Sequence, residues 1–155
     1  MIRKILVAID CSAPATRAID VAVELAGDLD ARLAAVHVVD ASLAFVPELG
    51  AIDSEKMAAL RRVGETAMEE ARARVPQTIL FECFLVQGDP AEEIIHVAEK
   101  WPADLVVIGS DSRGRLAHFL LGSTADSVIR KASCPVVSVR ADVPTPARKA
   151  AIAFA

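Results

Sequence analysis

The chain has 155 residues, of which 54% are hydrophobic and only 4% aromatic, and its formal net charge is −4. That length suits one compact domain with a sizeable buried core, and no uninterrupted apolar run approaches the roughly 18 residues of a membrane span. An acidic balance with no long basic block and so few aromatic side chains argues against nucleic acid as the main partner.

Residues 5–9 form an apolar, strand-like run behind Met1-Ile2-Arg3-Lys4, and Asp10 cuts it too short for an export signal, so a cytoplasmic location is expected. Asp10-Cys11-Ser12 then leads into a helix, with Ser12 as N-cap, Pro14 in the first turn and Ile19, Ala22, Val23 and Ala26 on one stripe. Gly27 is expected to end it. Residues 33–39 are too continuously apolar for a half-exposed strand, which completes a βαβ unit. His37, inside that run, reads as a satisfied core histidine. The connection 40–52 carries Phe45, Val46 and Leu49, unusually greasy for a surface loop, and suggests a lid or a contact surface.

A long helix is predicted over residues 54–75, with Met57, Leu60, Ala67, Met68 and Ala71 inward and Pro76 as its stop. Residues 79–86 follow as a third strand, where Glu82 implies a sheet edge. Asp89-Pro90-Ala91-Glu92 combines an acidic N-cap, a first-turn proline and a glutamate three positions after the cap, opening a helix that Pro102 closes. A fourth strand spans 105–108. Beyond the loop that follows it, Ser123 and Asp126 resemble a capping box, with Val128, Ile129 and Ala132 inward, and a fifth strand covers 136–139. Residues 141–155 are a tail rich in alanine and proline, with no assignable element. Cys11, Cys83 and Cys134 lie far apart without metal or CxxC spacing and read as structural thiols.

Five strands alternating with four helices predict an α/β fold: a doubly wound five-stranded parallel sheet, order 3-2-1-4-5, with helices on both faces. Ligands in such sheets bind at the carboxyl ends of the strands beside the topological switch, here between the first and fourth strands, which brings Asp10 next to Gly109. The polar loop 109–124 is the chemically informative stretch. Glycine at both ends removes Cβ where a ligand could approach, and Gly122-Ser123 at a helix start offers N–H groups and a favourable dipole to an anion. Gly109-x4-Gly114 continues with Arg115 and Leu116, so it is not a P-loop, and no GxGxxG follows the first strand.

Over nearly all of residues 1–140 the chain resembles the universal stress protein family. The resemblance rests on Ile5-Leu6-Val7-Ala8-Ile9-Asp10, Val36-His37-Val38, Gly88-Asp89-Pro90, Ile108-Gly109-Ser110, Leu120-Leu121-Gly122-Ser123 and Cys134-Pro135-Val136. Part of that family binds ATP through glycine, two residues, glycine, nine residues, then glycine with Ser or Thr. Gly109, Gly122 and Ser123 fall on that pattern, and Ser112 replaces the second glycine. The resemblance implies ATP, with magnesium, as ligand: Asp10 on the ribose or metal side, Val38 on adenine through its backbone, and Gly109, Ser112, Gly122 and Ser123 on ribose and phosphates. Ile108 and Thr124 are adjacent candidates, and Arg113 and Arg115 suit a polyphosphate. It also implies a homodimer, for which the fifth strand is an edge with little to deter pairing. Three functions stay open: a nucleotide-dependent binding switch, a slow ATPase or self-phosphorylating protein, and a dimeric adaptor without nucleotide.

Overall fold

The computed structural model describes residues 1–110 and 122–141. The elements run β1 (Lys4–Ala8), α1 (Ala13–Leu29), β2 (Arg32–Val39), a 3-10 turn (Ala41–Ala44), β3 (Phe45–Val46), β4 (Ala51–Ile52), α2 (Ser54–Arg74), β5 (Phe81–Gln87), α3 (Pro90–Lys100), β6 (Leu105–Ser110), α4 (Ser123–Lys131) and β7 (Val136–Arg140). The main sheet has the order β5-β2-β1-β6-β7, all neighbours parallel, which is the expected 3-2-1-4-5 arrangement. The short β3 and β4 pair antiparallel as a separate hairpin.

Strand alternation divides the core into two layers. Ile5, Val7 and Ile9 of the first strand and its end pack with Leu33 and Ala35 of β2 beneath α1 (Ala18, Ile19, Ala22) and α2 (Ala67, Met68, Ala71). Leu6 and Ala8 pack with Ala34 and Val36 beneath α3 (Ile94, Val97, Ala98) and α4 (Ala125, Val128). Both faces of β1 are thus covered, and hydrophobic burial explains why its run is continuously apolar. β5 is an edge strand, and Glu82 meets the constraint by pairing with Arg32 at 2.6 Å and accepting from Trp101 Nε1 at 2.9 Å.

Three local expectations need correction. Helix α1 runs past Gly27 to Leu29, and its left-handed cap is Asp30 (φ 51°), whose backbone N–H donates to Ala26 O. A short polar side chain tolerates that conformation, so glycine was not required. Helix α4 begins on Ser123 with Gly122 as N-cap, so Ser123 caps nothing, and Asp126 pairs with Arg130 at 2.6 Å instead of reaching back. Ile129 is exposed, not inward. The tail assigned to 141–155 lies outside the described residues except for Ala141.

Candidate functional site

β1 stops at Ala8, whereas β2 continues to Val39 and β6 to Ser110, so the sheet opens a notch at the carboxyl ends of its central strands. The last bond on the β1 side of β2 runs from Ile9 N–H to Val36 O, at 2.9 Å. Residues along a parallel strand direct their backbone groups alternately to either neighbour. Val38, two beyond Val36, therefore points its N–H and C=O where β1 has ended. The notch widens into a cleft of about 530 Å³ lined by Asp10, Val38, Ile108, Gly109, Gly122, Ser123 and Thr124. All seven are residues singled out from the sequence. Ser112, Arg113 and Arg115 lie outside the described residues.

The helix starts beside the cleft differ. At α1, the Asp10 carboxylate accepts from the Ser12 N–H at 2.9 Å, and Ser12 Oγ accepts from the Ala15 N–H at 3.3 Å. Asp53 and Asp89 cap α2 and α3 in the same manner. Helix α4 has no side-chain cap among the described residues, and its first-turn residues Ser123, Thr124 and Ala125 line the cleft. First-turn amides with no partner among the described residues and the helix dipole favour an anion there.

The glycines differ too. A Cβ at Gly109 would lie 2.5 Å from the carbonyl carbon of Pro14 and 2.7 Å from Ala15 N, so this glycine lets α1 seat on β6. The close approach comes from the protein's own backbone, not from a ligand. A Cβ at Gly122 would meet nothing within 4 Å among the described residues.

Sequence reasoning missed the apolar wall of the cleft. Leu43 from the 3-10 turn and Leu60 and Val63 from α2 line it on one side, Pro90 and Ile94 on the other. His37 also lines it while only 8% exposed, and its Nδ1–H donates to Ile9 O at 3.0 Å, which fixes that nitrogen as protonated. The expectation of a satisfied core histidine holds. Helix α2 approaches this ring through Gly64, where a Cβ would sit 2.6 Å from Leu85 Cδ1 and 2.7 Å from His37 Cδ2.

Asp10 and Asp40 are the carboxylates of the cleft, and none of its described lining residues is Lys or Arg. Among the described residues no group of three or more His, Cys, Asp or Glu could hold a metal ion by itself. Cys11 lines the mouth of the cleft, but burial pushes its thiol above the ordinary value, with the Glu70 and Asp10 carboxylates adding to the rise. A raised thiol is a poor nucleophile. Cys83 and Cys134 are likewise raised by burial, and all three cysteines are free.

The family model described as "Universal stress protein family" matches residues 1–140. A universal stress protein of Methanocaldococcus jannaschii is 34% identical over 142 residues, covering 89% of this chain and 82% of its own length. The solved structure of universal stress protein UspA from Lactobacillus plantarum superposes with a TM-score of 0.78 at 31% identity, covering 89% of this chain and 97% of that one. That of a universal stress protein from Archaeoglobus fulgidus in complex with dAMP superposes with a TM-score of 0.61 at 26% identity, covering 90% and 99%.

Proposed function

Because the chain belongs to the universal stress protein family, we propose that the cleft at the ends of β1 and β6 binds an adenine nucleotide, ATP with magnesium. The observation that carries this reading is the convergence, on one cleft, of a helix start with no side-chain cap among the described residues and the outward backbone of Val38. These are a phosphate end and a base end. The volume of 530 Å³ falls within the range of about 300–1,000 Å³ usual for small-molecule sites. The dAMP bound by the Archaeoglobus relative supports the ligand class.

In this reading the amides of Ser123, Thr124 and Ala125 hold phosphate oxygens, with Gly122 leaving room for them. Gly109 and Ile108 floor the ribose, and Ser112, Arg113 and Arg115 complete the phosphate contacts. Asp10 and Asp40 would repel a bare triphosphate in a cleft whose described lining carries no cation. Magnesium, held mainly by phosphate oxygens with one carboxylate, is suited to such a site, and Asp10 is the residue for it. The ion would neutralise phosphate charge there.

The chain then acts in the cytoplasm as a nucleotide-dependent binding switch in which residues 110–121, once engaged with the phosphates, present a changed surface to a partner. Residues 1–140 are the binding unit. β7, at the open edge of the sheet, pairs with its copy in a homodimer. A monomer in sedimentation would remove that last element. Calorimetric titration with ATP and magnesium tests the binding itself, with saturable heat and no phosphate release expected. Absence of both heat and thermal shift at millimolar ATP would leave only a nucleotide-free adaptor.

A further inference from the structure

Exposed large apolar side chains are scattered over most of the described surface, but Leu43 (62% exposed), Phe45 (48%), Leu49 (76%) and Ile52 (50%) are gathered around the hairpin of β3 and β4. Phe45 and Ile52 stand directly opposite each other across it. Scattered apolar residues are ordinary on a protein surface, whereas a cluster asks for a cover. This cluster sits on a firm platform. Leu49 N–H donates to Val46 O and Gly50 N–H to Pro47 O, each at 3.2 Å, and Ala44 O accepts from the Asp53 N–H at 2.8 Å, tying the hairpin to the start of α2. Beside Ile52 a groove of about 300 Å³ continues the apolar surface over Val39, Met57 and Ala58. A hairpin of two-residue strands is marginal in water by itself, so an apolar cover stabilises it.

The chain carries a segment of matching chemistry. The family match stops at residue 140, and residues 141–155 lie beyond it. In that stretch Pro144 and Pro146 precede Arg148-Lys149, and Ala150-Ala151-Ile152-Ala153-Phe154-Ala155 is apolar throughout. Around the hairpin the charges are opposite. No Lys or Arg occurs between Arg32 and Lys56, whereas Asp40, Glu48, Asp53 and Glu55 are acidic. Asp40 and Asp53 are engaged in caps, and Glu48 and Glu55 are exposed. The distance is also right. Arg140 is in register with Ser110, Ile108 with Ala8, and Ala8 with Val36, so β7 ends level with Val38, close below the hairpin. Three strand spacings separate β7 from β2, about 14 Å. The eight residues from Arg140 to Arg148 span up to about 26 Å.

We propose that residues 148–155 of the same chain lie over the hairpin of β3 and β4, with Ile152 and Phe154 covering Phe45, Leu49 and Ile52, and Arg148 and Lys149 facing Glu48 and Glu55. Ile152 and Phe154 are two apart and share one face of an extended segment. Apolar burial supplies the affinity, and the basic pair sets the direction in which the segment lies. This docking needs no nucleotide and stands apart from the reading of the cleft.

Trypsin cuts after arginine and lysine, so the rate of cleavage after Arg148 and Lys149 in the native, nucleotide-free chain, followed by mass spectrometry, reads how often the segment is released. Wild type is expected to be cut there about tenfold more slowly than a synthetic peptide of residues 141–155. Phe154→Ser in the segment and Leu49→Ser in the hairpin should each raise the rate at least about fivefold, and the double variant should be no faster than the faster single one. Leu80→Ser, at an exposed residue beside the amino end of β5, should leave the rate unchanged. A Leu49→Ser chain that unfolds is cut throughout, and Phe154→Ser then decides. Wild-type cleavage as fast as the peptide, or serine variants cut at the wild-type rate, overturn the proposal. Protection that disappears on dilution seats the segment on a second copy and overturns it as well.

Discussion

Gly109 and Gly122 stand at the two ends of one polar loop and line one cleft, yet the missing Cβ does different work at each. At Gly109 the vacated space is filled by the Pro14-Ala15 backbone, 2.5 Å from where a Cβ would lie. At Gly122 no described residue comes within 4 Å of that point. One glycine is spent on packing a helix against a strand, and the other on leaving a helix start open. The contrast extends to the helices themselves, since α1 is capped by Ser12 and α4 by no side chain among the described residues.

The strongest way to break this contrast is to add a methyl group at each position. Gly109→Ala must displace helix backbone, and a loss of about 2–4 kcal/mol in denaturant unfolding is expected. Unaltered stability would mean that α1 does not rest on this residue. Gly122→Val has open space and a φ of −53° that valine accepts, so its stability should stay within about 0.5 kcal/mol of wild type. Its ATP affinity should nevertheless fall at least about tenfold by calorimetry, about 1.4 kcal/mol. Equal affinity would put the phosphates elsewhere.

Smaller effects sharpen the contrast. Ser12→Ala removes the cap of α1 and should cost about 1 kcal/mol of stability in thermal melts. At the opposite end of the sheet, Asp104 accepts from the backbone N–H groups of Arg3 and Lys4 at 2.8 and 3.0 Å. Those bonds, the Arg3 one foremost, hold its carboxyl below the ordinary value of 3.8. A depressed folded-state value means that the stabilisation is complete above the ordinary value and is lost as pH falls through the folded one. Asp104→Asn should therefore flatten the acid limb of stability against pH and leave ATP affinity at pH 7 unchanged. An acid limb identical to wild type would deny Asp104 that role.

Much of this was legible in the residues. Continuous apolar runs 5–9, 33–39 and 105–108 identified the central strands because both their faces are buried, and Asp89-Pro90 marked α3 by cap chemistry alone. Glu82 betrayed an edge. The hairpin of β3 and β4 was not legible, since two-residue strands carry no period to detect. Gly27 misled because the left-handed turn fell to Asp30. The reason for Gly109 depends on which helix crosses which strand, and the outward face of Leu60 and Val63 depends on where β1 ends. Both are tertiary facts that spacing along the chain does not contain. Asp10, Gly122 and Ser123 could be nominated early because strand ends and helix starts converge at the switch point of a doubly wound sheet, whereas Val38 was legible only through the family resemblance.

The central claim is that the open start of α4 receives phosphate oxygens while the end of β2 meets the base. Amide chemical shifts, followed by heteronuclear NMR as ATP and magnesium are added, test it most directly. The account predicts that the largest shifts fall on Ser123, Thr124 and Ala125, with Val38 moving at the other end of the cleft. Saturating ATP that leaves those amides in place while shifting others would contradict it.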